Sequence, residues 1–248
     1  MRSKSYRRWI FSILVILTTS AVHAQFNDST NHYIYVGSTG AFNKTNDLKS
    51  YVLNNAVKFT ISKKAVSFHT AHSWIYGQQS DVKINNDFSS VVELDFLKNK
   101  RRFYYWAMGT FDKSYSLKID YRFQGGLGVG YYVIDNPEWI ILLSDGFIFE
   151  KGNLTDKVLG DRNYDVWRNS ARVKYRWVLS DIFILDGSAF VQPSITTSHD
   201  TIIKSSTTLS LKLKKWLSVT SSVTYNRITL TERENLFVTY GVVLERFF

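Results

Sequence analysis

The chain has 248 residues and no cysteine, with 31 Lys and Arg against 21 Asp and Glu, which gives a formal net charge of +10. The lack of thiols excludes a disulfide framework and a thiolate metal site. Four of the ten excess charges lie in the first 24 residues, which carry no acid, so the remainder is +6. These bases are scattered along alternating segments, which argues against nucleic acid as a partner and fits a surface beside anionic lipid.

The first predicted element is an export signal. Basic residues at positions 2, 4, 7 and 8 precede an apolar run over 9–17, and the small residues Val22 and Ala24 fit a cleavage site. The run is too short for a membrane-spanning helix. We therefore predict a signal peptide over residues 1–24, cleavage between Ala24 and Gln25, and one β-barrel domain over residues 25–248.

The mature chain alternates between apolar and polar residues, is 16% aromatic and contains only 2 Pro, a composition that favours β-strands. Twelve strands are predicted: 32–45, 49–62, 65–77, 86–98, 102–113, 116–134, 138–150, 163–178, 181–196, 201–214, 216–230 and 234–248. Short turns alternate with longer polar loops over 77–87, 151–162 and 197–200, as in outer-membrane barrels. A sheet in lipid must close on itself. The predicted fold is all-β: a single transmembrane antiparallel up-and-down β-barrel with both termini periplasmic.

The last strand, 234–248, has one apolar face and ends on an aromatic residue. This pattern resembles the assembly signal of bacterial outer-membrane β-barrels, in which the last strand pairs with the first. The residues assigned to this signal are Phe248, Leu244, Val242 and Tyr240. The alternative interpretation is the edge strand of a soluble sandwich. The signal implies the barrel-assembly machinery as a partner during insertion, and outer-membrane lipid afterwards.

Aromatic residues cluster near predicted strand ends, where indole rings would lie at the lipid headgroup level. The predicted aromatic girdle comprises Trp139, Trp177, Trp216, Trp106, Trp74 and Trp167. Ordinary core tryptophans are the alternative.

Charged residues on the opposite faces of the strands predict a charged lumen. The predicted network comprises Arg168, Arg172, Lys174, Arg176, Arg122, Glu93, Asp95, Asp120, Asp145 and Asp186, with Asp186 expected opposite Arg172. Two interpretations stay open: structural ion pairs that fill a narrow lumen, or a charged constriction or ligand site. Because the long inward bases outnumber the acids, the lumen is expected to be crowded and net positive.

Several ordered motifs carry a family resemblance. They are QGGLGVGYYVID at 124–135 after DKSY at 112–115, LSDG at 143–146, RNSAR at 168–172 with KYR at 174–176, and TYGVVLE at 239–245. Together they resemble the salt-induced outer-membrane protein family (domain of unknown function 481). The resemblance covers about residues 30–248 and implies a barrel in the outer membrane of a Gram-negative bacterium. It carries no activity or functional residues. Gly126, Gly128 and Gly130 share one strand face with no helix after them, so they predict lumen space or a bend rather than a nucleotide loop.

No catalytic, cofactor or metal site is predicted. His69 and His72 fall on opposite strand faces and are interpreted as incidental. The His-x-Ser spacing that outer-membrane phospholipase A needs is absent, since Ala71 and Trp74 stand in the serine positions. The predicted function is a non-enzymatic barrel with a structural role or a narrow, weakly anion-preferring pore. The alternatives are an outer-membrane lipid hydrolase, or a barrel that binds a ligand or partner through its outer loops.

Overall fold

The computed structural model describes residues 31–63, 65–96, 102–156 and 160–248, so the predicted signal peptide lies outside the described residues. The strands in these ranges are β1 (His32–Thr45), β2 (Leu48–Ser62), β3 (Val66–Gln79), β4 (Val82–Phe96), β5 (Phe103–Ser114), β6 (Ile119–Asp135), β7 (Trp139–Asp156), β8 (Gly160–Asn169), β9 (Ala171–Leu179), β10 (Phe183–Pro193), β11 (Thr201–Lys214), β12 (Leu217–Ile228) and β13 (Arg233–Phe247). One short 3-10 turn covers Thr229–Thr231. No helix in the described part of the chain is long and apolar enough to cross a membrane.

The strands form one closed antiparallel barrel, as predicted. Neighbours in sequence pair with each other, and β1 closes the ring against β13 from Tyr33–Phe247 to Gly40–Tyr240. Closure satisfies the backbone groups of both strands that would otherwise be edges, which is the condition for a sheet surrounded by lipid.

The strands β8 and β9 are two parts of one barrel strand, which gives the twelve-stranded count. Both pair with β7 in a single register, with Asn169 opposite Phe147 and Arg172 opposite Ser144. The Ser170 amide between them donates to the Gly146 carbonyl at 2.8 Å. The interruption falls where β10 leaves the ladder, because Pro193 has no amide hydrogen to continue the pairing.

Alternation gives the barrel a polar interior and an apolar exterior. Large apolar side chains stand exposed on the outer face, among them Leu127, Leu236 and Phe147. Charged side chains, among them Glu150 and Arg168, are buried inside. An exterior of this kind would promote aggregation in water, whereas it is the expected surface of a barrel in a bilayer.

Both chain termini of the described barrel lie at one end, which we call the termini end; the other is the far end. The strands at the far end run further than the sequence predicted. The predicted loop over 77–87 is replaced by a tight turn at Ser80 and Asp81, whose φ angles of 47° and 65° are those of a hairpin turn. The predicted loop over 151–162 is largely strand, with β7 ending at Asp156 and β8 starting at Gly160. Residues 197–200 lie outside the strands, as expected.

An apolar cluster caps the lumen at the far end. It consists of Leu117, Ile119, Leu154, Ile202 and Ile228. Leu117 belongs to the β5–β6 turn, which folds inward because the Asp87 carboxylate accepts hydrogen bonds from the Ser114 and Ser116 hydroxyls at 2.8 and 2.6 Å.

Candidate functional site: the lumen

Three groups of ion pairs cross the lumen, and we call them together the charge lattice. They consist of Glu93 with Arg172 and Lys174, Asp112 with Arg122 and Lys204, and Glu150 with Arg168 and Asp200. Some partners are on neighbouring strands, as Asp112 with Arg122 and Glu150 with Arg168 are. Glu93 with Arg172 and Asp112 with Lys204 join strands that are far apart in the ring. These two contacts tie separate parts of the barrel wall together.

The first group links β4 to β9. Arg172 approaches the Glu93 carboxylate at 2.8 Å, and the Lys174 ammonium approaches it at 3.2 Å. The Arg172 guanidinium also donates to the Ser144 and Tyr104 hydroxyls, at 2.8 and 3.2 Å. The guanidinium also lies over the rings of Trp106 and Phe190. Arg172 is thus held by both ionic and aromatic contacts.

The second group reaches from β5 and β6 across the lumen to β11. Asp112 accepts two hydrogen bonds from Arg122, at 3.1 and 2.6 Å, and one from the Lys204 ammonium at 3.2 Å. The Ser89 hydroxyl donates to the other carboxylate oxygen at 2.6 Å. The acid is therefore fully bonded against the barrel wall.

The third group closes the place where β8 separates from β10. Arg168 forms two 3.0 Å hydrogen bonds with the Glu150 carboxylate and one of 2.8 Å with Asp200. It also donates to the backbone carbonyls of Gln192 and Asp200. Glu150 accepts further bonds from Tyr164 and Gln124. All three charged side chains are at most 2% exposed, so this group is interior structure.

Glycines on β6 make room for inward aromatic rings beside the lattice. A Cβ atom at Gly128 would meet the Trp106 ring, and one at Gly130 would overlap the Tyr104 ring. This use of space explains the glycine spacing noted in the sequence. It also moves Trp106, at 3% exposure, from the predicted girdle into the lumen, because Trp106 shares its strand face with Tyr104 and Asp112.

The other side of the lumen is lined by short polar side chains and stays open. A cavity of about 330 Å³ runs along β1–β5 and β11–β13, and Leu117 and Ile119 of the apolar cluster line it towards the far end. Its lining includes Thr39, Asn54, Ala56, Ser206, Thr208, Ser222, Thr224 and Asn226. We call it the hydroxyl groove. The groove is bordered by one group of the charge lattice, Asp112 with Arg122 and Lys204.

Inside the lumen, lysines are the accessible members of the mixed pairs. The Lys174 side chain is 38% exposed against 9% for Glu93, and that of Lys204 is 27% exposed against 8% for Asp112. Near the termini end, Lys212 is 20% exposed and its partner Glu245 is 12% exposed. A molecule in the lumen therefore meets lysine side chains more readily than carboxylates.

The structure brings most of the predicted network together, with changed partners. Asp186 pairs in register with Arg176, whereas Phe190 stands opposite Arg172, whose acid partner is Glu93 on the far wall. Asp95 lies 3.3 Å from the His69 ring.

Two acids of the predicted network lie outside the lumen. Asp120 is exposed at the far rim beside Lys113, because the ladder between β5 and β6 shifts register there. Asp145 is exposed on the outer face and accepts a hydrogen bond from Asn169 at 2.9 Å. It shares the parity of Leu143 and Phe147, which face outward.

The sequence reasoning missed several inward acids. These are Asp87, Asp112, Glu150, Asp200 and Glu245. They offset part of the formal positive charge that the sequence predicted for the lumen. Glu150 lies an even number of residues from Ser144 and Ile148 on the same strand, which could have shown that it faces inward. Asp200 lies in a loop, where no alternation indicates the direction of a side chain.

The other predicted girdle and assembly residues are exposed, and all of them except the turn residue Trp216 face outward. Trp139 and Trp177 stack at 4.8 Å near the termini end, and Trp167 contacts Phe149 nearer the far end. Trp74 is exposed on the same outer surface, and Trp216 is exposed in the turn before β12 at the termini end. Tyr240, Val242, Leu244 and Phe248 stand exposed along one face of the terminal segment.

The two histidines that the sequence singled out occupy opposite faces of β3. His69 faces inward between the Thr60 hydroxyl, at 3.1 Å, and Asp95. This order of groups is that of a hydroxyl, a base and an orienting acid. The backbone around Thr60 is paired to β1 and β3 on both sides, so it offers no free amides for an oxyanion. His72 faces outward. No cluster of side chains suited to a metal ion occurs among the described residues.

Fold and lumen together define a transmembrane β-barrel with a polar interior. The profile of the family described as "Protein of unknown function, DUF481" matches residues 38–236, and the chain belongs to this family. The membership suggested by the sequence motifs is confirmed.

Solved structures with similar folds are outer-membrane barrels. The NanC porin has a TM-score of 0.51 and 9% identity, over 87% of this chain and 99% of that one. The KdgM porin in complex with disordered oligogalacturonate has a TM-score of 0.46 and 11% identity, over 88% and 99%. The translocator domain of the autotransporter NalP from Neisseria meningitidis has a TM-score of 0.48 and 12% identity, over 87% of each chain. No curated protein matches the sequence.

Proposed function

We propose that the protein is a small-bore channel in the outer membrane of a Gram-negative bacterium. The observation that carries the proposal is the hydroxyl groove, an opening of about 330 Å³ beside a lumen half that ion pairs fill. Twelve strands lie between barrels filled by side chains and barrels with a wide aqueous channel. The charge lattice narrows the bore, and the groove provides the polar part of the path for small solutes. The apolar cluster at the far end, whose Leu117 and Ile119 also line the groove, would be its narrowest point.

The channel should prefer anions weakly. Inward acids offset much of the positive charge in the lumen, but the carboxylates are buried against the wall while the side chains of Lys174 and Lys204 are more exposed than their acid partners. A ring of accessible cations raises the local concentration of anions. The nearby carboxylates limit the preference.

Planar-bilayer recordings test both parts of the proposal. We expect small conductance steps and, across a KCl gradient, a reversal potential on the anion side. Changing both lysines (Lys174→Gln with Lys204→Gln) should remove the preference while keeping the pore, because Arg172 and Arg122 still pair with the two acids. The control is Lys151→Gln, an exposed residue on the outer face of β7 that does not line the groove, which should change nothing. A silent bilayer would favour a structural or binding role, and cation selectivity would contradict the role of the lysines.

The leader and the last strand belong to the same proposal. A signal peptide over residues 1–24 would export the chain, and the outward apolar face of the terminal segment would direct insertion by the barrel-assembly machinery into outer-membrane lipid. N-terminal sequencing of protein from outer-membrane fractions should begin at Gln25. Deleting Phe248 should lower the membrane level while refolding in detergent continues. A chain that begins at Met1, or an unchanged level, would contradict these steps.

A further inference from the structure

Polar residues interrupt the outer apolar face of the barrel at several places. At one of them, on β11, the Thr207 hydroxyl bonds to the Tyr175 hydroxyl, and two others are considered below. On the first four strands, Ser38, Asn55, His72 and Ser90 face outward across β1–β4, with Thr70 beside His72. We call this set the polar stripe. Apolar side chains flank it on both sides, with Val57 towards the termini end and Leu53 towards the far end.

The second of these two interruptions is the pair Asp145 and Asn169 on β7 and β8, which we call the acidic patch. Leu143 and Phe147 flank Asp145 on the same outer face of β7. Groups that form hydrogen bonds are expensive in hydrocarbon and occur there mainly where they meet protein partners. A carboxylate in this position therefore marks a contact surface.

Both sets stand at the same offset from an outward-facing tryptophan. His72 stands two residues from the girdle residue Trp74, towards the termini end. Asn169 stands two residues from Trp167, in the same direction. Each polar set is thus one outward-facing position from Trp74 or Trp167, on the side of the termini end. Two barrels side by side in one bilayer would bring the sets to a common level.

The acidic patch presents acceptors. The Asn169 amide nitrogen donates to Asp145 at 2.9 Å and to the Gly146 carbonyl at 3.3 Å, which uses both of its hydrogens. The second oxygen of Asp145 and the side-chain oxygen of Asn169 accept no bond within the described residues. Two copies of this patch would repel each other.

The polar stripe presents donors. Asn55 accepts from the Ser38 hydroxyl at 2.8 Å, which leaves its amide hydrogens without an acceptor in the described part of the chain. The His72 ring contacts the Thr70 and Ser90 hydroxyls at 2.9 and 3.0 Å. A neutral ring has one N–H, so the hydroxyl that accepts it keeps its own hydrogen for a partner. The stripe therefore complements the acidic patch.

From this complementarity we infer that a second copy of the chain covers each patch, with the polar stripe of one barrel against the acidic patch of the next. The two surfaces are different, so the contact is head-to-tail. They lie four to five strands apart, roughly a third of the way around the ring. Contacts at such an angle join barrels into rows or large rings, because a dimer still has one free stripe and one free patch.

Cysteine crosslinking tests the inference cleanly because the natural chain contains no cysteine. The double variant His72→Cys with Asp145→Cys, oxidised in native membranes, should give a ladder of dimers, trimers and larger species on non-reducing gels. The matched control is Val242→Cys with Leu127→Cys, which places cysteines on apolar parts of the outer face. It should give no ladder at an equal membrane level.

Single variants separate the remaining outcomes. His72→Cys alone and Asp145→Cys alone should each stay monomeric, whereas mixing the two should give a dimer. Strong 72–72 or 145–145 dimers would replace the head-to-tail contact with a two-fold contact and overturn the inference. Crosslinking of the double variant no greater than in the control, or to other membrane proteins alone, would also overturn it. Channel recordings are independent of these results.

Discussion

The two sides of the lumen satisfy their polar side chains in different ways. On one side, long charged side chains reach across the barrel and meet in pairs, as Asp112 and Lys204 do. On the other side, side chains such as Ser222 and Thr208 bond to their neighbours on adjacent strands and leave the middle open. The backbone is the same regular ladder on both sides. Side-chain length therefore sets the bore here, within limits that the strand number allows.

The charge lattice should fix the shape of the barrel more than it stabilises the fold. Burying an ion pair has a desolvation penalty that can equal the attraction, while removing one partner leaves an unpaired buried charge. The lattice is thus sensitive to damage although its net contribution is modest. The hydroxyl groove, whose groups are neutral, should tolerate substitution much better.

The largest effect is expected at the most buried group of the lattice. Arg168→Ala would leave Glu150 and Asp200 buried without their counter-ion, since they are 0% and 2% exposed. We expect the free energy of unfolding to fall by about 3–5 kcal/mol. Urea titration in detergent micelles, followed by tryptophan fluorescence, measures it.

An exposed ion pair provides the control for Arg168. Lys113 and Asp120 lie 3.5 Å apart with side chains 62% and 55% exposed. Lys113→Ala should lower the free energy of unfolding by no more than about 1 kcal/mol. An equal loss of unfolding free energy in both variants would mean that water in the lumen screens Arg168. The charge lattice would then not be more sensitive to damage than an exposed ion pair.

A smaller effect is expected where aromatic rings pack on glycine. Gly128→Ala would push a methyl group against the Trp106 ring and the backbone of β7, and overpacking of this kind typically lowers the free energy of unfolding by about 1–3 kcal/mol. The same titration measures the loss. Gly125→Ala is the matched control, because a Cβ on this outward-facing neighbour meets nothing within 4 Å. Similar losses would show that strand conformation matters here more than ring packing.

The fold could be predicted from the sequence because its signal is local. Alternation along each strand gives the two faces, and consecutive strands of an antiparallel barrel pair with each other, so topology follows from order. Strand ends were predicted less well. The polar residues near Ser80 led us to predict a loop. Strand pairing uses backbone groups, however, so two adjacent strands with polar side chains can stay paired where they extend past the membrane.

The partners within the lumen could not be predicted in the same way. Neighbours across one turn can be counted, which led to Asp186 for Arg172, but Glu93 approaches Arg172 from four strands away. That distance depends on the shear and diameter of the closed barrel. Asp145 shows a different limit: its parity indicated the outer face, but a charge there contradicts the usual rule for lipid-facing positions.

The smallest effect on stability, paired with a large effect on permeation, is expected in the hydroxyl groove. Ala56 lines the groove and has no side-chain hydrogen bond to lose. Ala56→Trp should shift the free energy of unfolding by less than about 1 kcal/mol, since the ring enters open space rather than a packed core. It should nevertheless abolish most of the conductance, because the indole fills the path. Val57→Trp on the adjoining outward position, which is exposed, controls for expression and insertion. Unchanged single-channel conductance in Ala56→Trp, with normal membrane levels, would place the ion path on the charge-lattice side and reverse the comparison.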